Sequence, residues 1–311
     1  MLKNYLDAEQ YILGKFVVGN SFIYKNKEYK INIVGKPSCS KGEPKTDIYI
    51  ATTSNELELF EFKISFKKDN ADFLENKIKS KRAEQLLGND WSSIICNSTE
   101  FIKDKFYSKP LIYKNKSGHT DAGSITLGWK FEFVNKNGGN LSSKIILSKN
   151  QLIDVYSGIN LSMDKKDSYV NNNIIKNSGV ANFILFEDKS FSLNNAQDVI
   201  DSIIPIDEYV DNHTDIYFAC KALNYRSFKN KYDGDRPLAV YVNWFVRNQK
   251  LAYEIVFDKP LEYGGNFVYS NLREALDKLN VKTTDDLNSS NVEDTSIIFE
   301  ANCQAKCNSL L

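Results

Sequence analysis

The run Leu57-Glu58-Leu59-Phe60-Glu61-Phe62-Lys63-Ile64-Ser65-Phe66 alternates apolar and polar residues with a period of two. That alternation calls for a β-strand with one buried face. Phe60, Phe62, Ile64 and Phe66 fall on the side that demands a core, while Glu61, Lys63 and Ser65 fall on the other. A carboxylate and an ammonium thus leave the same side of a rigidly backed strand. Just upstream, Asp47-Ile48-Tyr49-Ile50-Ala51 reads as its partner strand, with Thr52 to Glu56 as the turn. A turn at Ser54-Asn55 that sets Tyr49 opposite Glu61 also sets Asp47 opposite Lys63. Asp47 and Glu61 then become diagonal neighbours on one face, roughly 6–8 Å apart at their Cβ atoms.

The surrounding segments extend this hairpin into a layered α/β (α+β) fold, a mixed central sheet flanked by helices. Leu2 to Leu13 has apolar residues at helical spacing, and Phe16 to Tyr24 and Tyr29 to Val34 read as strands around Lys25-Asn26-Lys27. Asn70 to Leu87 reads as a helix stopped by Gly88, and Ser92 to Cys96 as a short apolar strand. Further on, Ile125 to Val134, Asn182 to Phe186 and Ile216 to Ala219 read as strands, and Lys144 to Tyr156 contains a helix. Leu238 to Val246 and Leu251 to Phe257 form a hairpin, Leu272 to Leu279 is helical, and the polar stretch Asn160 to Ser178 is a surface loop.

Composition narrows the function. Lys plus Arg and Asp plus Glu each count 40, so no net field draws the chain to a polyanion and any nucleic-acid surface has to be local. With only His119 and His213, and no Gly-x-Ser-x-Gly, a hydrolase triad has few possible members. The absence of Gly-x-x-x-x-Gly-Lys-[Ser/Thr] leaves no nucleotide cofactor implied. Cys39, Cys96, Cys220, Cys303 and Cys307 are odd in number and scattered, which fits a reduced, cytoplasmic protein. The Cys303/Cys307 pair lacks the second pair a zinc site needs. No apolar run is long enough to span a bilayer, so no membrane partner is expected.

Two carboxylates from adjoining strands can grip a Mg²⁺ ion, which prefers a few carboxylate oxygens plus waters and substrate phosphate. In the expected register Asp47 and Glu61 supply them, the backbone carbonyl of Phe62 is a third ligand, and Lys63 orients a water or balances phosphate charge. The alternative for the same residues is a solvated strand face carrying an ordinary ion pair.

Pro44-Lys45-Thr46-Asp47, thirteen intervening residues and then Glu61-Phe62-Lys63 resemble the PD-(D/E)XK nuclease signature. Gly42-Glu43-Pro44-Lys45-Thr46-Asp47-Ile48 is similar to the approach to the catalytic Asp in bacterial type II restriction endonucleases. Pro44 stands three residues before Asp47, where the nominal motif puts it adjacent. The resemblance covers about residues 1–97, whose order of helix, strands, helix and strand matches the family core. It implies a Mg²⁺-dependent endonuclease acting on double-stranded DNA, a catalytic core in residues 1–110 and a mixed α/β elaboration in 111–311 for DNA recognition and dimer contacts. It also implies Asp47, Glu61 and Lys63 as catalytic residues, with Glu9 from the first helix as a further metal ligand, and a homodimer if a palindrome is cut. Basic residues flanking the motif and on the following helix make Lys41, Lys45, Lys67, Lys68 and Arg82 candidate phosphate contacts, and Gln85 resembles an auxiliary polar residue of the family. Arg226, Arg236 and Arg247 are candidate base readers because arginine is the usual reader of guanine. A structure-specific repair or recombination nuclease and a non-catalytic DNA-binding defence protein are the competing readings.

Overall fold

Two compact units interleave along the chain, residues 1–74 with 146–216 and residues 75–145 with 217–311. The computed structural model describes residues 5–67, 73–76, 78–187 and 193–301. Sequence alone suggested one boundary near residue 110; the chain instead crosses between units at 74/75, 145/146 and 216/217.

The first unit opens with helix α1 (Tyr5–Leu13), then strands β1 (Ser21–Tyr24), β2 (Lys27–Gly35), β3 (Ile48–Ser54) and β4 (Leu59–Lys67). After the excursion through the second unit come α2 (Lys149–Ser157), β5 (Phe183–Phe186), α3 (Ala196–Ser202), β6 (Ile204–Pro205) and α4 (Ile206–Asn212). The strands form one sheet in sequence order, antiparallel throughout except that β5 lies parallel to β4. A parallel neighbour requires a crossover, which here includes α2. Lys25 and Asn26 both adopt positive φ, the tight turn whose twist suits a two-residue hairpin between β1 and β2. At the free edge, the Ile23 N–H donates to Gln197 Oε1 at 2.8 Å and Gln197 Nε2 donates to the Ile23 carbonyl at 2.9 Å. The side chain from α3 thereby blunts an edge that is otherwise open to another strand.

The even-numbered face of β3 and β4 is the core, as the alternation predicts. Ile48, Ile50, Phe62, Ile64 and Phe66 pack with Ala8 and Ile12 of α1, and with Phe183 and Leu185 of β5. Phe62 stacks on Phe183 with ring centroids 5.4 Å apart.

The register of this hairpin differs from expectation. Ala51 pairs with Glu61, Tyr49 with Lys63 and Ile48 with Ile64, two positions off the predicted pairing. The turn is longer than two residues. Ser54 N–H donates to the Glu58 carbonyl at 2.8 Å, the Ser54 hydroxyl accepts from the N–H groups of Glu56 and Glu58, and Leu57 closes the loop in the left-handed region. A shift of two keeps every side chain on its predicted face but slides the strands past each other.

Leu57 sits at φ 64 with 84% of its surface exposed. A non-glycine residue there costs roughly 1 kcal/mol, and its side chain buries little in return. Leu57→Gly should therefore raise stability by about 0.5–1 kcal/mol, read as a higher urea midpoint at constant m. An unchanged or lower midpoint would show that the turn is unstrained.

In the second unit, Ile216–Arg226, Ser124–Val134, Val240–Arg247 and Lys250–Val256 form successive antiparallel neighbours of a larger sheet, over which helix Gly265–Lys278 packs on Val240–Arg247. Gly128 lies against Tyr241, and a Cβ there would meet the Val240 carbonyl oxygen at 2.5 Å. Two sequence expectations fail in this unit. Of the helix expected over Asn70–Leu87, only Ser80–Leu87 is helical; residues 73–75 are extended, and residues 70–72 and 77 lie outside the described set. Ser92–Cys96 is not a strand but part of helix Trp91–Glu100, whose Ile95 and Thr99 are buried one turn apart. In the first unit, the stretch expected as a surface loop contains a small hairpin, Ser168–Val170 with Asn173–Ile175. No described helix is long and apolar enough to cross a membrane.

Candidate active site

The loop before β3 is clamped from outside. Lys45 and Thr46 N–H groups both donate to the Gly179 carbonyl, at 3.0 and 3.2 Å. A Cβ on Gly179 would lie 1.9 Å from the Lys165 carbonyl oxygen, so only glycine fits this crossing. Lys45 spends its ammonium on the Leu74 carbonyl at 2.8 Å, holding the same loop, so its expected phosphate role gives way to a structural one.

The clamp delivers Asp47 to the entry of β3. Its N–H donates to the Ile64 carbonyl at 2.9 Å, and its carboxylate accepts the Phe66 N–H at 2.7 Å. The side chain thus completes the ladder with β4 beyond the last backbone pair. Burial raises its pKa from the ordinary 3.8 to about 6; the Lys67 ammonium opposes that rise, Glu9 adds to it, and Lys36 opposes it more weakly. Glu9, 12% exposed on α1, is ion-paired to Lys36. The Lys67 ammonium has no hydrogen-bond or ion-pair partner among the described residues. The Asp47 carboxylate therefore shares its electrostatic surroundings with one further carboxylate and two ammonium groups.

Glu61 and Lys63 lie elsewhere on β4. Glu61 pairs with Ala51, four residues along β3 from Asp47. At about 3.4 Å per residue that is roughly 13 Å along the strand, too far for two short carboxyl side chains to hold one ion. Glu61 is occupied locally: the Tyr49 hydroxyl donates to it and the Lys63 ammonium stands 3.3 Å away. Tyr49 is 1% exposed, and burial together with the Glu61 carboxylate pushes its phenol well above the ordinary value. Asn182 fixes the same stretch, accepting from Lys63 N–H and donating to the Glu61 carbonyl, both at 2.8 Å. Phe62 pairs with Ile50, in phase with Ile64 and Phe66, whose backbone groups reach Asp47, so its carbonyl belongs to the ladder and is no free ligand. The E-x-K of the sequence is an ion pair on a strand face.

Position by position, the neighbourhood of Asp47 on β4 is Ser65-Phe66-Lys67. This run has the spacing of E-x-K with serine in place of glutamate. Ser65 is fully buried and its hydroxyl has no partner, as is also true of Thr46 next to Asp47. Sequence reasoning placed Lys67 among the phosphate contacts and passed over Ser65. The same alternation would have selected both had the turn been centred one residue later, on Glu56.

Magnesium fits one of these sets and not the other. Among the described residues no three acidic, histidine or cysteine side chains converge as a cage. Mg²⁺ requires only one or two carboxylates, completed by waters and phosphate. Asp47 with Glu61 cannot supply two on one ion. Glu9 is the other carboxylate whose charge acts on Asp47, and the orphaned Ser65 hydroxyl lies one residue from the Phe66 amide that Asp47 grips, so this is the set whose chemistry is compatible with the ion.

Of the other sequence candidates, Lys41 is exposed in the loop before β3, and Lys68 lies outside the described residues. Arg82 and Gln85 belong to the second unit, where Arg82 is held by Glu75 at 2.7 Å. Cys39, Cys96 and Cys220 are free thiols, and Cys303 and Cys307 lie outside the described residues. Comparison of the chain with family models, with curated proteins and with solved structures gave no match.

Proposed function

We propose that this chain is a magnesium-dependent DNA endonuclease of the PD-(D/E)XK type, with its catalytic centre at Asp47, Lys67 and Glu9 instead of Asp47, Glu61 and Lys63. The observation that carries the reading is the Asp47 carboxylate, anchored by the Phe66 amide where β3 begins and flanked by an unpaired lysine and a second carboxylate. The order of elements supports it. The resemblance calls for a helix, a mixed sheet whose middle hairpin bears the acids, a helix and a further strand; α1, the β1–β4 strands, α2 and β5 offer that order, in place of the residues 70–96 that sequence assigned to the last two.

Asp47 and Glu9 would hold the cation, Glu9 exchanging its Lys36 partner for it. A bound Mg²⁺ supplies a water of lowered pKa and neutralises phosphate charge. Lys67 offers a hydrogen-bond donor and a positive charge where charge develops on the scissile phosphate. Buried surroundings strengthen both effects. The reading extends to a homodimer, since cutting both strands of a palindrome matches twofold protein symmetry.

Incubating the purified protein with plasmid is the test. The expected result is a set of discrete fragments with Mg²⁺ and intact plasmid with EDTA. Smearing or cutting confined to junctions would replace site-specific restriction by structure-specific cleavage, and no cutting under any divalent ion would remove the enzymatic reading.

A further inference from the structure

The chain has five arginines, all within the described residues, and four of them are spent on acids. Arg82 is held by Glu75, Arg226 by Asp121 and Asp233, Arg247 by both oxygens of Glu293, and Arg273 by Asp277. A guanidinium whose fork is filled by a carboxylate has few donors left for another anion. Two of the three arginines that sequence offered as DNA readers, Arg226 and Arg247, are removed on this ground. The Arg236 guanidinium alone has no hydrogen-bond, ion-pair or ring partner among the described residues.

Arg236 lines a cavity of about 100 Å³ in the second unit, together with Lys79 and Lys130. The Lys79 ammonium is also without a partner among the described residues, while Lys130 leans on the buried Glu132 at 2.5 Å. The one acid in the wall, Asp235, already accepts the Asn266 N–H at 3.1 Å. Ile78, Phe131 and Pro237 make the rest of the lining largely apolar. A small, half-enclosed cavity with two uncommitted cations and apolar walls favours a compact anion, since the low local dielectric strengthens charge contacts that water would weaken. Lysine acts as a point charge suited to phosphate and carries no base information.

We infer that the Arg236–Lys79 cavity is a second-unit anchor for a phosphate of the DNA backbone. This rests on the nuclease reading for its ligand, and it predicts a contribution to affinity that is independent of sequence.

The test is the affinity of the full chain for several unrelated 20-base-pair duplexes in EDTA, over a range of salt, for wild type, Arg236→Ala, Arg236→Lys, Lys79→Ala and Arg247→Ala. Arg236→Ala should weaken binding about tenfold on every duplex and flatten the salt dependence by about one counterion. Lys79→Ala should act in the same direction, Arg236→Lys should restore part of the loss, and Arg247→Ala should bind like wild type. Melting temperatures should stay unchanged for both Arg236 variants, whose side chain has no partner to lose. Wild-type affinity in Arg236→Ala overturns the inference, and so does a loss confined to one duplex sequence, which would make the cavity a reader of a base edge. Absence of wild-type binding overturns both this site and the nuclease reading. Arg236-dependent binding without cleavage in Mg²⁺ leaves the anchor standing and removes only the chemistry.

Discussion

Asp47→Asn is expected to stabilise the folded protein while abolishing DNA cleavage. The Asp47 carboxyl is held at a pKa of about 6 against an ordinary 3.8 because burial disfavours its charged form more than Lys67 and Lys36 favour it. The folded chain thus binds this proton more tightly than the unfolded chain. Between about pH 4 and pH 6 the unfolded state loses its proton first, so stability falls as pH rises, and above pH 6 the whole cost is present. That cost is at most roughly 3 kcal/mol. Asparagine keeps an oxygen for the Phe66 N–H and carries no charge, so at pH 7.5 in EDTA the variant should be more stable by about 1–3 kcal/mol. The gain should disappear near pH 4, where both proteins are neutral at this position. Mg²⁺ should then raise the melting temperature of wild type and leave Asp47→Asn unmoved, as ligand linkage requires. Cleavage should drop by at least about a thousandfold, the loss of several kcal/mol of transition-state stabilisation. A variant less stable than wild type at pH 7.5 would mean that the carboxylate serves the fold, and an active variant would remove Asp47 from the chemistry. A residue that weakens its own fold at working pH is one retained for another purpose.

The faces of the hairpin were legible in the sequence and its register was not. Alternation decides which side of a strand Phe62 or Lys63 occupies, because side chains on the wrong face would expose a core. It is blind to a slide of two residues, which leaves every face unchanged. The slide was decided by local hydrogen bonding at Ser54 and a left-handed Leu57, a residue with no marked preference for that conformation. The strand parallel to β4 was hidden for a different reason. Phe183–Phe186 read correctly as a strand, but most of the chain between Lys67 and Phe183 belongs to another unit. Nearness in sequence therefore drew the missing helix and strand from residues 70–96. There Ile94-Ile95 is a short apolar run that strand and helix accommodate equally well, and burial of Ile95 and Thr99 one turn apart decides for helix. The position of Asp47 at the entry of a strand was legible, since a turn-rich approach feeding an apolar run marks it. Its partners follow from register, and register was the weak link.

On the proposed function, the slide predicts that two lysines of one strand exchange roles. Lys67 acts on the Asp47 carboxylate and has no other described partner, so Lys67→Ala should lower the cleavage rate by about 10²- to 10³-fold, the usual worth of a donor placed where charge develops. Lys63 is 14% exposed and committed to Glu61, in the stretch of β4 that Asn182 secures. Lys63→Ala should leave the rate within a few-fold of wild type and cost up to about 1 kcal/mol of stability, the range for a partly solvated ion pair. Glu61→Gln should behave like Lys63→Ala, since an amide still accepts the Tyr49 hydroxyl. Single-turnover rates at saturating Mg²⁺ separate these outcomes from changes in DNA affinity. Had the strands paired as alternation alone suggested, Lys63→Ala would be the inactive variant and Lys67→Ala would only weaken binding. Observing that reversed pattern would return the centre to Glu61 and Lys63 and would require the hairpin to shift by two residues when DNA and metal bind.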